Sequence, residues 1–205
     1  MGKHCLRLPP VVAVVILLIG ITGGSTSAMA GSITYTESDT ASGTLGTASF
    51  TNALVTISFS GNTSTVSQTS LGFWENDTGT TTVTIAGIGT ETFTDAMFAF
   101  DNQGAIAAGI GDNSCTGCRG SVMDTFNLAF GSYDLMSAIG PLSGGVFIRP
   151  DLSYGTNSGL LNFSSAGATS TFTATTTAVP EPACLMLLGS GVLGLAGVVR
   201  RKLSL

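Results

Sequence analysis

Between residues 31 and 178, apolar and polar positions trade places in short runs, with the two-residue period of a half-buried strand. Val55, Ile57 and Phe59 share one face of Ala53–Ser60, and Val83 and Ile85 share one face of Thr80–Ala86. In Ala96–Phe100, Met97 and Ala99 oppose Phe98 and Phe100. The same reading places strands at Ser32–Thr36, Thr90–Thr94, Met123–Phe130, Gly145–Ile148, Leu160–Ser164 and Thr169–Thr175. The breaks hold turn residues, among them Ser60-Gly61-Asn62, Asn76-Asp77-Thr78-Gly79 and Asp101-Asn102-Gln103-Gly104. Asp134–Ile139 reads as a short helix or an irregular crossover, and Thr171–Ala178 as a strand running out into a low-complexity stalk. Many short strands at this spacing predict an all-β fold, a single β-sandwich of jelly-roll type.

Both ends break the alternation. At the front, Lys3, His4 and Arg7 precede the apolar run Val11 to Ile21, and Ala28-Met29-Ala30 offers a cleavage site before Gly31. That order of basic, apolar and small residues is a secretory signal peptide over residues 1–30. At the back, Val179-Pro180-Glu181-Pro182 leads into 17 uncharged positions, 183–199. As a helix these would span about 25 Å, the lower edge of what crosses a bilayer. Pro180 and Pro182 hold the preceding chain extended. Arg200, Arg201 and Lys202 favour the cytoplasmic face, which puts the chain before the helix outside.

The hinge, the Gly/Leu-rich apolar run and the Arg-Arg end together resemble the PEP-CTERM sorting signal of exported Gram-negative bacterial proteins. The resemblance covers residues 179–205. It implies recognition by an exosortase, a membrane-embedded cysteine transpeptidase-like enzyme, with processing near the hinge. It further implies a place at the cell surface or in the extracellular matrix, in company with exopolysaccharide. Spacing alone gives less: an anchored segment with a stiff joint, which a plain C-terminal membrane anchor would share. Gly191, Gly194 and Gly197 either form a groove for a partner helix or are ordinary transmembrane glycines.

The chain thus divides into a leader (1–30), an exported Thr/Ser/Gly-rich domain (31–178) and a sorting tail (179–205). The middle segment is long enough for one core. It carries eleven carboxylates against Arg119 and Arg149, a net charge of −9. Such a surface is expected to repel nucleic acid and anionic polysaccharide unless divalent cations mediate.

Charge and residue types also limit the chemistry. The only histidine is His4, and the only lysines are Lys3 and Lys202, all outside the exported segment. A Ser-His-Asp triad, a Cys-His dyad, a His-ligated zinc or a Lys Schiff base therefore cannot be built there. A carboxylate-dependent glycoside hydrolase stays open, although no pair of acids stands out. Cys115 and Cys118 flank Thr116-Gly117 in a Gly-rich loop, and in an oxidising compartment they are expected to form a local disulfide. Asp101 and Asp112 bracket Gly104–Gly111 and are weak candidates for calcium, with no EF-hand pattern around them. All 15 aromatic residues fall in the exported segment, and nearly all are expected in its core. Trp74 is read as buried, with an exposed sugar-stacking platform as the alternative. The expectation is a non-enzymatic surface or matrix protein; a surface-anchored carbohydrate-binding module is the alternative, and an exposed aromatic row on one sheet face would favour it.

Overall fold

The computed structural model describes residues 31–114 and 120–177. In chain order the strands are β1 Ser32–Leu45, β2 Ala48–Asn62, β3 Val66–Ser70, β4 Phe73–Asn76, β5 Gly79–Ile85, β6 Gly89–Thr92 and β7 Met97–Asn102. They continue with β8 Ala107–Asp112, β9 Gly120–Phe126, β10 Ile139–Ile148, β11 Ser153–Thr156, β12 Gly159–Ala166 and β13 Thr169–Thr177. The fold is all-β, and every ladder among the described residues is antiparallel.

Hydrogen bonding runs unbroken in the order β3-β4-β7-β8-β9-β10-β13-β1-β2-β5-β6, with the β11–β12 hairpin branching from β1. The two layers expected of a sandwich are therefore two halves of one ladder. The joint is β10, which pairs with β9 on one side and β13 on the other. Register shifts at Ile139/Leu142, Ile110/Gly111 and Ala41/Gly43 add local bend and twist. The sheet curls into half a barrel, and β1, β2 and β5 pack across the interior on β7, β8 and β9.

Alternation explains what fills that interior. Ile33 and Tyr35 of β1, Ile57 and Phe59 of β2, and Val83 of β5 are fully buried. From the other half come Ala99, Ile110 and Met123, and from β13 comes Phe172, all in one contiguous core. The sheet's two edges differ. Beside β6, the Thr94 N–H donates to the Gly155 carbonyl and the Asn157 N–H to the Thr92 carbonyl, both at about 3 Å, so the β11–β12 hairpin covers that edge. The outer edge of β3 has no such cover among the described residues.

Strands expected from alternation are present, several of them longer than read; β1 continues through Leu45. The segment Met123–Phe130 is a partial exception. Its strand stops at Phe126, because the Asn127 side chain accepts from the Ala129 N–H and starts a short 3-10 helix, Leu128–Ser132. The Asp134–Ile139 alternative resolves as an irregular crossover. Strands β3, β4, β8 and β11 had no expected counterpart.

Candidate functional site

The outward faces of the two halves carry different chemistry. On β13, β1, β2, β5 and β6 the register lines up hydroxyls in rows. One row is Thr173–Thr36–Ser58–Thr82–Thr92, and the next is Thr171–Ser38–Thr56–Thr84–Thr90. Neighbours within the rows share hydrogen bonds, as at Ser38–Thr56 (3.1 Å) and Thr84–Thr90 (2.8 Å).

The other half faces outward with phenylalanine. Across β4, β7, β8, β9 and β10 the register sets Glu75 beside Phe100, Phe100 beside Gly109, Gly109 beside Asp124 and Asp124 beside Phe147. Phe73, Phe98 and Phe126 flank this row. Together they line a groove of about 570 Å³. Beneath these side chains β8 presents Ala107, Gly109 and Gly111 on this face. A Cβ on Gly111 would lie 2.5 Å from the Phe98 ring, and one on Gly109 would lie 2.6 Å from the Asp124 Cβ. The neighbouring side chains thus lie over the space that glycine leaves. Phe73 and Phe100 are stacked, with centroids 6.0 Å apart and planes 2° apart. Phe126 and Phe147 form a rim and keep 39% and 44% of their surface exposed.

Two polar atoms at this groove lack a hydrogen-bond partner, Asp124 Oδ1 and Ser121 Oγ, and both are buried. Burial pushes the Asp124 carboxyl up to about 6, because a carboxylate among aromatic rings loses its hydration. Glu75, almost fully buried, lies on the same face.

The expectation that nearly all aromatics are core needs correction. Phe73, Phe98, Phe100, Phe126 and Phe147 sit in the outer groove, on the opposite side of the sheet from the core. A strand apolar on both faces, as in Met97–Phe100, does not reveal which face turns inward; the cross-strand register decides. Trp74 does lie on the inner side, packed against the core, with its Nε1 buried and without a hydrogen-bond partner. It is not the exposed platform. The aromatic platform belongs to phenylalanines that sequence reading had placed inside, and the signal for it was the both-faces-apolar run facing Gly-x-Gly in β8.

Further carboxyls lie inside the barrel half. Glu37 is fully buried, and its Oε2 accepts from Thr125 Oγ1 at 2.8 Å; the Ser170 hydroxyl stands 2.6 Å from that of Thr125. Burial drives the Glu37 carboxyl well above the usual carboxylate range, with the nearby Asp124 and Asp39 charges adding to it. Asp101 pairs in register with Trp74, has no hydrogen-bond partner for either oxygen, and is pushed by burial, aided by Asp134, up to about 8.

The calcium candidates do not meet. Met97, not Asp101, stands opposite Asp112 in the β7–β8 ladder. Four residues of strand separate Asp101 from that position, about 13 Å at the usual rise. Asp112 instead accepts from the N–H and the hydroxyl of Ser114 (2.8 and 2.9 Å). Among the described residues no group of three or more His, Cys, Asp or Glu converges as metal ligands would. Gly31 lies in the described chain, where its N–H donates to Thr63 Oγ1 at 3.0 Å. Ala28 and Ala30, Cys115 and Cys118, the hinge Val179–Pro182, the expected helix 183–199 and the basic end Arg200–Lys202 lie outside the described residues.

The tail supplies the class. The PEP-CTERM protein-sorting motif matches residues 178–202. The chain therefore carries a PEP-CTERM sorting signal behind an all-β domain. That signal marks an exported protein held in the membrane in transit and processed by an exosortase. No curated protein and no solved structure matches the chain.

Proposed function

We propose that this chain is a non-enzymatic surface or extracellular-matrix protein whose β domain binds matrix carbohydrate in the phenylalanine groove. The observation that carries the reading is the five-ring groove on the face opposite the core. The half-exposed rings of Phe126 and Phe147 offer a sugar's C–H face an apolar platform, with the buried rings of Phe98 and Phe100 behind them. The sorting signal supports delivery to where such a polymer would be met.

The spacing of acids favours binding over hydrolysis. Glu75 and Asp124 are three strands apart in one row, about 14 Å between backbones. Glycosidase carboxyls work about 5–10 Å apart. With neither histidine nor lysine in the segment 31–178, the groove has few other groups to run acid–base chemistry.

Binding is tested by titrating neutral oligosaccharides into the protein and its Phe126→Ala/Phe147→Ala variant. Affinity that falls about tenfold in the variant supports the reading, and unchanged affinity or no binding contradicts it. Sorting is tested separately. Replacing Pro180-Glu181-Pro182 with alanines should leave export intact and block tail processing, seen as a heavier mature protein by intact mass. An unchanged mature mass contradicts exosortase reading of the hinge.

A further inference from the structure

The last residues of β13 stand between the folded domain and the sorting signal. The Thr repeats of Thr171–Ala178 read as a strand giving way to a stalk, but β13 keeps its ladder as far as Thr177. Thr175, Thr176 and Thr177 pair in register with Thr34, Ile33 and Ser32. Only Ala178 and Val179 then precede Pro180. From Thr177 to Pro180 is three residue steps, at most about 11 Å of fully extended chain. A peptide-cleaving enzyme takes an extended segment that reaches several residues to either side of the bond it cuts. Backbone already paired in a sheet is closed to it until the ladder opens.

The two strands at this end are not held alike. β1 is anchored on both sides, since Ser32, Ile33 and Thr34 also pair with Asn62, Gly61 and Ser60 of β2. Gly31 adds two bonds to Thr63: its N–H donates to Oγ1, and its carbonyl accepts from the Thr63 N–H, both at 3.0 Å. The ladder between β10 and β13, by contrast, runs only from Thr169 to Ala174. Among the described residues β1 alone therefore pairs with Thr175–Thr177. Burial changes at the same point. Phe172 and Ala174 are buried, whereas Thr175, Thr176 and Thr177 are all exposed. Opening the ladder here breaks backbone hydrogen bonds but takes no side chain of β13 out of the core, which makes it a locally weak end.

We propose that Thr175–Thr177 are a detachable strand end. They leave β1 to give the exosortase the extended segment ahead of the hinge, and they rejoin β1 once the tail is gone. The sheet and the processing enzyme thus compete for the same threonines, and the rate of tail processing follows how often this end opens. The inference rests on the hinge reading given above.

The test is a pulse–chase of the full chain in a host that carries the exosortase, with tail loss followed by intact mass. Thr34→Cys/Thr175→Cys places two thiols on register partners of the outer face, where an oxidising compartment can link them. This lock should slow tail loss at least about tenfold. Inserting Gly-Ser-Gly-Ser between Thr177 and Ala178 should return the locked chain to the parent rate, because the spacer supplies extended chain outside the ladder. In the unlocked chain the same spacer should speed tail loss about threefold or more, with the melting temperature unchanged. A linked chain that loses its tail at the parent rate overturns the proposal. So does a spacer that fails to rescue the locked chain, or one that leaves the unlocked rate unchanged; the last comparison decides alone if the link does not form. The hinge reading fails on a different result, equal tail loss in the parent and in the Pro180-Glu181-Pro182 alanine variant.

Discussion

The hydroxyl half and the phenylalanine half of this sheet share one core and one hydrogen-bond ladder, yet they meet water differently. On β1 and β2 strict alternation sends Ile, Val and Phe inward and Thr and Ser outward, and the outer hydroxyls bond one another. On β7 alternation fails, because both faces are apolar, and β8 answers with Ala and Gly where its neighbours carry rings. The first half is a solvated wall. The second carries a recess walled by rings, with Phe98 and Asp124 packed over the glycines of β8. The inner faces of both halves make the fold, and only the second half's outer face departs from hydroxyls.

The largest expected effect breaks the recess. A Cβ at Gly109 would lie 2.3 Å from the Met123 carbonyl oxygen, which is backbone and cannot step aside. Gly109→Val should cost about 3 kcal/mol or more by denaturant unfolding. A cost under about 1 kcal/mol would mean that the floor of the groove is not tightly set.

The next effect concerns the buried acids. Glu37, Asp101 and Asp124 all hold their protons more tightly folded than unfolded. Their contribution is fully present below the ordinary carboxylate value and is lost as pH rises through the folded values, about 6 for Asp124 and about 8 for Asp101. The melting temperature should therefore climb as pH falls from about 8.5 to 5. Asp101→Asn should raise it at pH 8 and flatten the slope, at about 2–4 °C per kcal/mol. A melting temperature that rises with pH over this range contradicts the burial of these carboxyls.

The smallest effect lies on the hydroxyl wall. Thr36→Val removes a hydroxyl 3.4 Å from that of Ser58 and should shift stability by no more than about 0.5 kcal/mol. It should leave groove binding untouched. A change larger than that of Gly109→Val would reverse the contrast between the halves.

Much of the hydroxyl half was legible in the sequence because its strands are long and alternate cleanly, as Val55, Ile57 and Phe59 do. The aromatic half was less so. Strand β8, Ala-Ala-Gly-Ile-Gly-Asp, has no period to read, and β3, Val-Ser-Gln-Thr-Ser, is polar on both faces as an edge strand can be. The groove depends on register: Phe73, Phe126 and Phe147 are distant in sequence and meet Phe100 only through four ladders. The tail, by contrast, needs no register. Its signal is a linear order of hinge, apolar run and basic end, so it was readable residue by residue.

The most direct measurement is amide chemical-shift mapping of the protein during titration with neutral oligosaccharides. Perturbations centred on Gly109, Asp124, Phe126 and Phe147, with Thr36, Ser58 and Thr82 unmoved, are the predicted result. Shifts confined to the hydroxyl wall, or none at saturating oligosaccharide, would contradict it.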